Sequence, residues 1–169
     1  MKKHLFLYLF LLCIIIISQL TACDKSSTYK GLDDLGIDKS EGYLNCYVDT
    51  HGGFHGDGCT YIELKFAGEY VDQLERKLED MEEWIPLPLT KNLSKVVFGD
   101  QDFVSIFQIT DEIPELPKIT QGYYYFKDRH SESTDSASDA DLFNRYSFNF
   151  DLIIYDIETH ILYIFQLDT

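Results

Sequence analysis

Residues 146–154 alternate between Tyr146, Phe148, Phe150, Leu152 and Ile154 on one side and Ser147, Asn149 and Asp151 on the other. A period of two places the apolar set on one face of an extended segment, which predicts a half-buried β-strand. The stretch ILYIFQLD at 161–168 predicts its partner, reached through a turn at DIETH. Aromatic GYYYFKD at 122–128 predicts a further strand, and FVSIFQI at 103–109, with a mixed pattern, another. Two more strands flank a glycine-rich stretch. In 43–48, Leu44, Cys46 and Val48 share a face; in 59–66, Ile62, Leu64 and Phe66 do, so the pair predicts a hairpin.

The period changes in EYVDQLERKLEDMEEW, 69–84. Val71, Leu74, Leu78 and Met81 recur at three or four residues, the spacing of one helix face, and the prolines of IPLPL end it. TKNLSKVVFG, 90–99, predicts a shorter helix with Thr90 as N-cap and Gly99 past its end. DEIPELPK is a proline-broken connection, and RHSESTDSASDAD, 129–141, an exposed acidic loop of low complexity. Hairpin, helices and then strands predict an α+β domain, a largely antiparallel β-sheet with one or two helices packed on one face.

The first residues follow a different rule. Lys2 and Lys3 precede an unbroken apolar run, Leu5 to Ile17, whose thirteen residues make a helix of roughly 20 Å, short of a bilayer core of roughly 30 Å. A signal-peptide core fits that length. Leu20 is too large for an ordinary A-x-A cleavage site, whereas LTAC, 20–23, resembles the lipobox of bacterial lipoproteins. The resemblance implies cleavage after Ala22 and a diacylglyceryl group on the sulfur of Cys23. Two acyl chains make a stable anchor where one holds only marginally. The chain then divides into a cleaved signal, 1–22, a lipidated cysteine and flexible tether, 23–42, and one α+β domain, 43–169. It would be attached to the cell membrane through covalent lipid, facing outside the cytoplasm.

The chain carries 14 basic and 29 acidic residues, a net charge of −15. Loss of Lys2 and Lys3 with the signal leaves 12 basic against 29 acidic, or −17. Nucleic acid is excluded as a partner, because phosphate contacts require clustered Lys and Arg. Cationic ligands suit this surface, and so does simple solubility.

Chemistry concentrates in DTHGGFHGDGC, 49–59. Asp49, His51, His55, Asp57 and Cys59, with His130 or Asp128 from elsewhere, supply zinc-type donors. The glycines exclude the helix on which His51 and His55 would share a face, and no calcium-loop spacing is present. No metal centre or cofactor is therefore assigned. An HGG run occurs without a G-x-S-x-G elbow, and neither HExxH nor a phosphate loop occurs. Catalytic residues stay unassigned, and a Cys59 pair with His130 or His160 has nothing to activate the thiol. Read structurally, the glycines permit a long turn and Asp49 and Asp57 bond nearby amides, which accounts for more of these residues. Cys46 and Cys59 flank the loop in a compartment that permits a disulfide, yet strand parity points one inward and the other outward unless a bulge near Gly58 intervenes.

DTHGGFHGDG, DRHSESTD and NFDLIIYDIETHILYIFQLDT together resemble a group of small exported bacterial lipoproteins with no established activity. That resemblance implies location. Three functions remain: an envelope binding or interaction domain, a metal-dependent hydrolase built on His51, His55 and Asp57, and a structural envelope protein.

Overall fold

The computed structural model describes residues 31–52, 56–105, 108 and 111–169. Strands β1 (Gly42–Asp49) and β2 (Gly58–Phe66) form the expected hairpin. They are followed by α1 (Glu69–Asp80), a two-residue β3 (Ile85–Pro86), α2 (Lys91–Phe98), β4 (Gly122–Asp128), β5 (Asn149–Asp156) and β6 (Ile161–Asp168). The sheet runs β1-β2-β6-β5-β4-β3, and each neighbouring pair is antiparallel. The final strand thus enters the middle of the sheet and joins the hairpin to the β4–β5 pair. The α+β class and the antiparallel sheet stand as expected; the helices, expected on one face, pack one on each, because the central strands carry apolar side chains on both sides.

Both helices form on the expected segments, but α1 stops at Asp80: Met81, read as part of its apolar face, is an extended C-cap, so the helix ends before the prolines of IPLPL. Val71, Leu74 and Leu78 of α1 are buried, as are Leu93, Val96 and Val97 of α2. The Thr90 hydroxyl accepts the Leu93 N–H at 3.1 Å, and Gly99 closes α2 at φ +73°, a conformation that favours glycine. α1 packs on one face of the sheet. There Phe66 meets Tyr70 with ring centroids 5.4 Å apart, and the Tyr155 hydroxyl donates to Glu75 Oε1 at 3.2 Å. α2 takes the opposite face, where Leu93, Val96 and Val97 join Cys59, Tyr61, Phe150, Leu152, Ile154 and Phe165 in one core.

The central strands are consequently buried on both sides. Seven of the eight residues of β5, all but Asn149, are buried, and Leu162–Phe165 of β6 form a buried run. This changes three expectations. The alternating strand begins at Asn149 rather than Tyr146, which is fully exposed, and Ile153 and Tyr155 are as buried as Ile154. Cys59, placed outward by parity, is buried, because the face of β2 opposite Ile62, Leu64 and Phe66 is interior too. The segment 32–42, read as tether, begins with core: Leu32 and Ile37 are 0% exposed and Leu35 7%. Lys77 Nζ donates to the Gly36 carbonyl at 2.6 Å, and the Asp38 N–H donates to the Tyr70 hydroxyl at 2.8 Å, tying this segment to α1. The compact unit starts at Leu32.

Two further readings are corrected. Phe103 to Ser105 form no strand. The Asp100 N–H donates to the Phe103 carbonyl at 2.9 Å, and the Ser105 hydroxyl donates to the Val97 carbonyl, which folds the segment back against the end of α2. Residues 106, 107, 109 and 110 lie outside the described residues. Cys46 and Cys59 are both free thiols. A bulge shifts the β1–β2 register between Leu44 and Cys46, away from Gly58, so Cys46 faces Glu63, four residues along β2 from Cys59. That offset is roughly 13 Å at 3.3 Å per residue, and a disulfide needs Cα atoms within about 7 Å.

Ile37→Ala should destabilise the protein by about 2–4 kcal/mol, the usual cost of a buried Ile-to-Ala truncation, read from urea unfolding. A loss below about 0.5 kcal/mol, normal for an exposed position, would return the segment to tether.

Candidate functional site

The hairpin loop meets the ends of β4, β5 and β6 at one end of the sheet. β1 ends at Asp49, β2 starts at Gly58, and Asp168 of β6 lies opposite both Gly58 and Asn149. Gly58 is required there: a Cβ on it would lie 2.4 Å from the His51 Cα. The Thr50 N–H donates to the Cys59 carbonyl at 3.0 Å and the Gly52 N–H to the Asp57 carbonyl at 3.3 Å, closing the turn on its own backbone. Gly53, Phe54 and His55 lie outside the described residues.

An ion-pair network runs across this end. His51 Nδ1 lies 2.7 Å from Asp49 Oδ1, and His51 Nε2 lies 3.2 Å from Asp168 Oδ2. Asp168 Oδ1 accepts from Arg129 Nη1 at 2.9 Å, and Arg129 Nε donates to Asp151 Oδ1 at 2.8 Å. Arg129 Nη2 reaches the carbonyls of Phe150 at 3.3 Å and Leu167 at 3.4 Å. Three carboxylates face one guanidinium and one imidazole, so the network keeps net negative charge in either state of the histidine. Burial disfavours the charged guanidinium, but the hydrogen bonds and charges of Asp168 and Asp151 outweigh it and hold Arg129 above its ordinary range. Burial likewise opposes ionisation of Asp49, and the His51 side chain and N–H overcome it, holding the carboxyl below its ordinary range.

His130 and Asp128 are used elsewhere. His130 Nδ1 accepts the Glu132 N–H at 3.2 Å, so Nε2 carries the proton toward Ser147 Oγ at 2.8 Å. Asp128 Oδ1 accepts the His130 N–H at 3.1 Å, and its Oδ2 lies 2.8 Å from Arg145 Nη2 in a buried ion pair. Among the described residues, no three His, Cys, Asp or Glu groups are placed to hold a metal ion. The structure therefore joins Asp49 and His51, separates them from His130, and leaves Asp57 exposed at the turn.

Nucleophilic chemistry finds no support at the cysteines. Burial first, then the negative charges of Asp168 and Asp49, pushes the Cys59 thiol up to about 12, which keeps it protonated and inert. Burial and then Glu63 raise Cys46 as well. His160 follows the far end of β5, beside Glu75 at 3.4 Å and just before β6, seven residues from Leu167, the partner of Cys59. Thr60 Oγ1 lies 3.3 Å from His51 Nδ1, but that nitrogen is closer to Asp49.

Arg129, Asp151 and Asp168 carry the network and were missed in the sequence, where Arg129 opened a polar loop and Asp151 occupied a solvent-facing strand position. The available signal was an aspartate within the most apolar strand of the chain. Comparison with protein-family models, with curated proteins and with solved structures gives no match.

Arg129→Met should cost about 2–3 kcal/mol, because it removes the guanidinium beside a buried carboxylate. Adding Asp151→Asn should recover part of that loss, read as a coupling in a double-mutant cycle. Additive effects would deny the pairing.

A lowered folded pKa contributes stability above the unfolded value near 4 and loses it as pH falls through the folded value. Asp49→Asn should therefore be less stable than the parent at pH 6, by at most about 1 kcal/mol at this solvent-screened site. The gap should shrink as pH falls below the unfolded carboxylate value, followed by urea midpoints across pH. A gap that does not shrink on acidification contradicts the assignment.

Proposed function

We propose that this chain is a bacterial envelope lipoprotein, anchored to the membrane through a diacylglyceryl group on Cys23, whose acidic α+β domain acts outside the cytoplasm as a binding or interaction module. The observation that carries the reading is LTAC at 20–23, following a cationic head and a thirteen-residue apolar run. Among the described residues, no helix is long and apolar enough to cross a membrane. Of the segment 23–42 expected as a tether, the residues from Leu32 onward belong to the folded unit Leu32–Thr169.

The binding half of the reading draws support from the site chemistry. His51 spends both ring nitrogens on carboxylates, and the Cys59 thiol is buried and protonated. The network joins the hairpin loop, the residue after β4, β5 and β6 into an acidic rim, the kind of surface that attracts cationic partners.

Expressed in a bacterial host, the native protein should fractionate with membranes. Its N-terminal peptide should begin at Cys23 and carry the mass of a diacylglyceryl group. Cys23→Ser should abolish that mass and keep the leader attached. An intact leader or an unmodified Cys23 in the parent protein would overturn the anchoring.

A further inference from the structure

β1 is eight residues long and forms one edge of the sheet; no described strand pairs with its outer side. The opposite edge, β3, has two residues and ends on a proline. Edge strands are ordinarily blunted by lysine, proline, shortness or a covering element. β1 has the sequence GYLNCYVD, without lysine or proline, and exposes Tyr43 at 69%, Leu44 at 40% and Tyr47 at 46%.

Its one irregularity shapes the surface. The bulge between Leu44 and Cys46 puts Leu44, opposite Leu64, and Tyr47, opposite Ile62, on the same face of the sheet. Beyond the bulge the ladder is regular from Cys46 to Asp49. Antiparallel pairing alternates between bonded and non-bonded positions. Since the Thr50 N–H bonds the Cys59 carbonyl, Val48 and Cys46 also face β2, and the N–H groups of Tyr47 and Asp49 point away from it.

We infer that β1 docks an extended, cationic segment of a partner polypeptide as an added strand, bonded at Tyr47 and Asp49 and packed against Leu44 and Tyr47. This rests on the binding reading above and supplies its partner class. Charge selects the occupant. Glu41 precedes β1, Asp49 ends it, Asp57 precedes β2 and Glu63 lies opposite Cys46, against Lys39 before β1 and Lys65 opposite Tyr43, and the chain carries −15 overall. A second copy would bring the same negative charge to the contact, whereas lysines on an incoming strand would meet opposite charge. Main-chain bonds give such a contact its strength, and alternate side chains its selectivity.

The probe is an alternating valine–lysine nonapeptide, with a valine–glutamate peptide as control, added to the full chain in a non-ionic detergent. The lysine peptide should bind, weaken with salt, and slow amide exchange at Tyr47 and Asp49 by about tenfold or more. Tyr47→Pro removes an outward N–H and leaves the β1–β2 bonds, so it should weaken binding by about tenfold. The exchange measurement on the parent protein stands whether or not that variant folds. Lysine-peptide binding with Tyr47 and Asp49 still exchanging freely overturns the β1 inference and leaves the domain a binder. Equal binding of the glutamate peptide, no binding of either, or self-association through β1 that excludes peptide also overturns it. The anchoring is decided separately, by the mass at Cys23.

Discussion

Burial of β5 and β6 on both faces is the constraint from which the rest of the structure follows. A strand that hides Phe150, Leu152 and Ile154 on one side and Ile153 and Tyr155 on the other needs a layer against each. One amphipathic helix cannot supply both, so α1 and α2 divide the faces. Each large apolar side chain so buried contributes about 1.5–3 kcal/mol. Even then α1 does not complete its layer, and Leu32, Leu35 and Ile37 are drawn in from the chain before β1. A segment dotted with glycine and aspartate becomes structural because three apolar side chains in it have an unfinished layer to enter.

The same constraint explains the polar end of the sheet. An extended strand buried on both sides cannot turn a carboxylate to solvent by alternation, so Asp151 needs a counter-charge within reach. Arg129 supplies it from just past β4, and its planar donors also meet Asp168 and two backbone carbonyls. Asp168 then passes the contact to His51, and His51 to Asp49. Residues that read as chemistry in the sequence are, in the fold, the outer links of a network that begins at a buried aspartate. The neighbouring Asp128 repeats the solution with Arg145, where both side chains are almost wholly buried.

What was legible in the sequence was whatever local periodicity determines. The helix faces, the Thr90 cap, the Gly99 stop and strands 122–128 and 161–168 depend on near neighbours, and they stand where the pattern puts them. Failures arose where a residue's environment depends on distant chain. Parity placed Cys59 outward because it assumes one buried face, and β2 has two. The segment 32–37 lacks periodicity of its own and is ordered by α1. Asp151 and Arg129 are 22 positions apart, and no spacing rule pairs an arginine that opens a polar loop with an aspartate inside a strand. His51 and Asp168 are 117 apart, so the candidate site existed in the sequence only as its loop half.

The two sheet edges are not equivalent, and the asymmetry follows from the strand order. Because β6 enters the middle, the hairpin is pushed outward and its first strand becomes an edge along its full length. The other edge closes itself: β3 is short, proline-terminated and followed by the Leu87 N–H donating to the Gly122 carbonyl. A bulge in β1 twists and interrupts the edge, which disfavours a long flat pairing with another such strand. The four residues beyond it retain a regular ladder beside exposed Tyr47. A bulge together with strong negative charge therefore opposes stacking of like copies while leaving a short strand site open to a chain of opposite charge. If the domain is held at a membrane surface, as we propose, it has to meet both demands, because crowding of identical domains is the condition under which an open edge would otherwise aggregate.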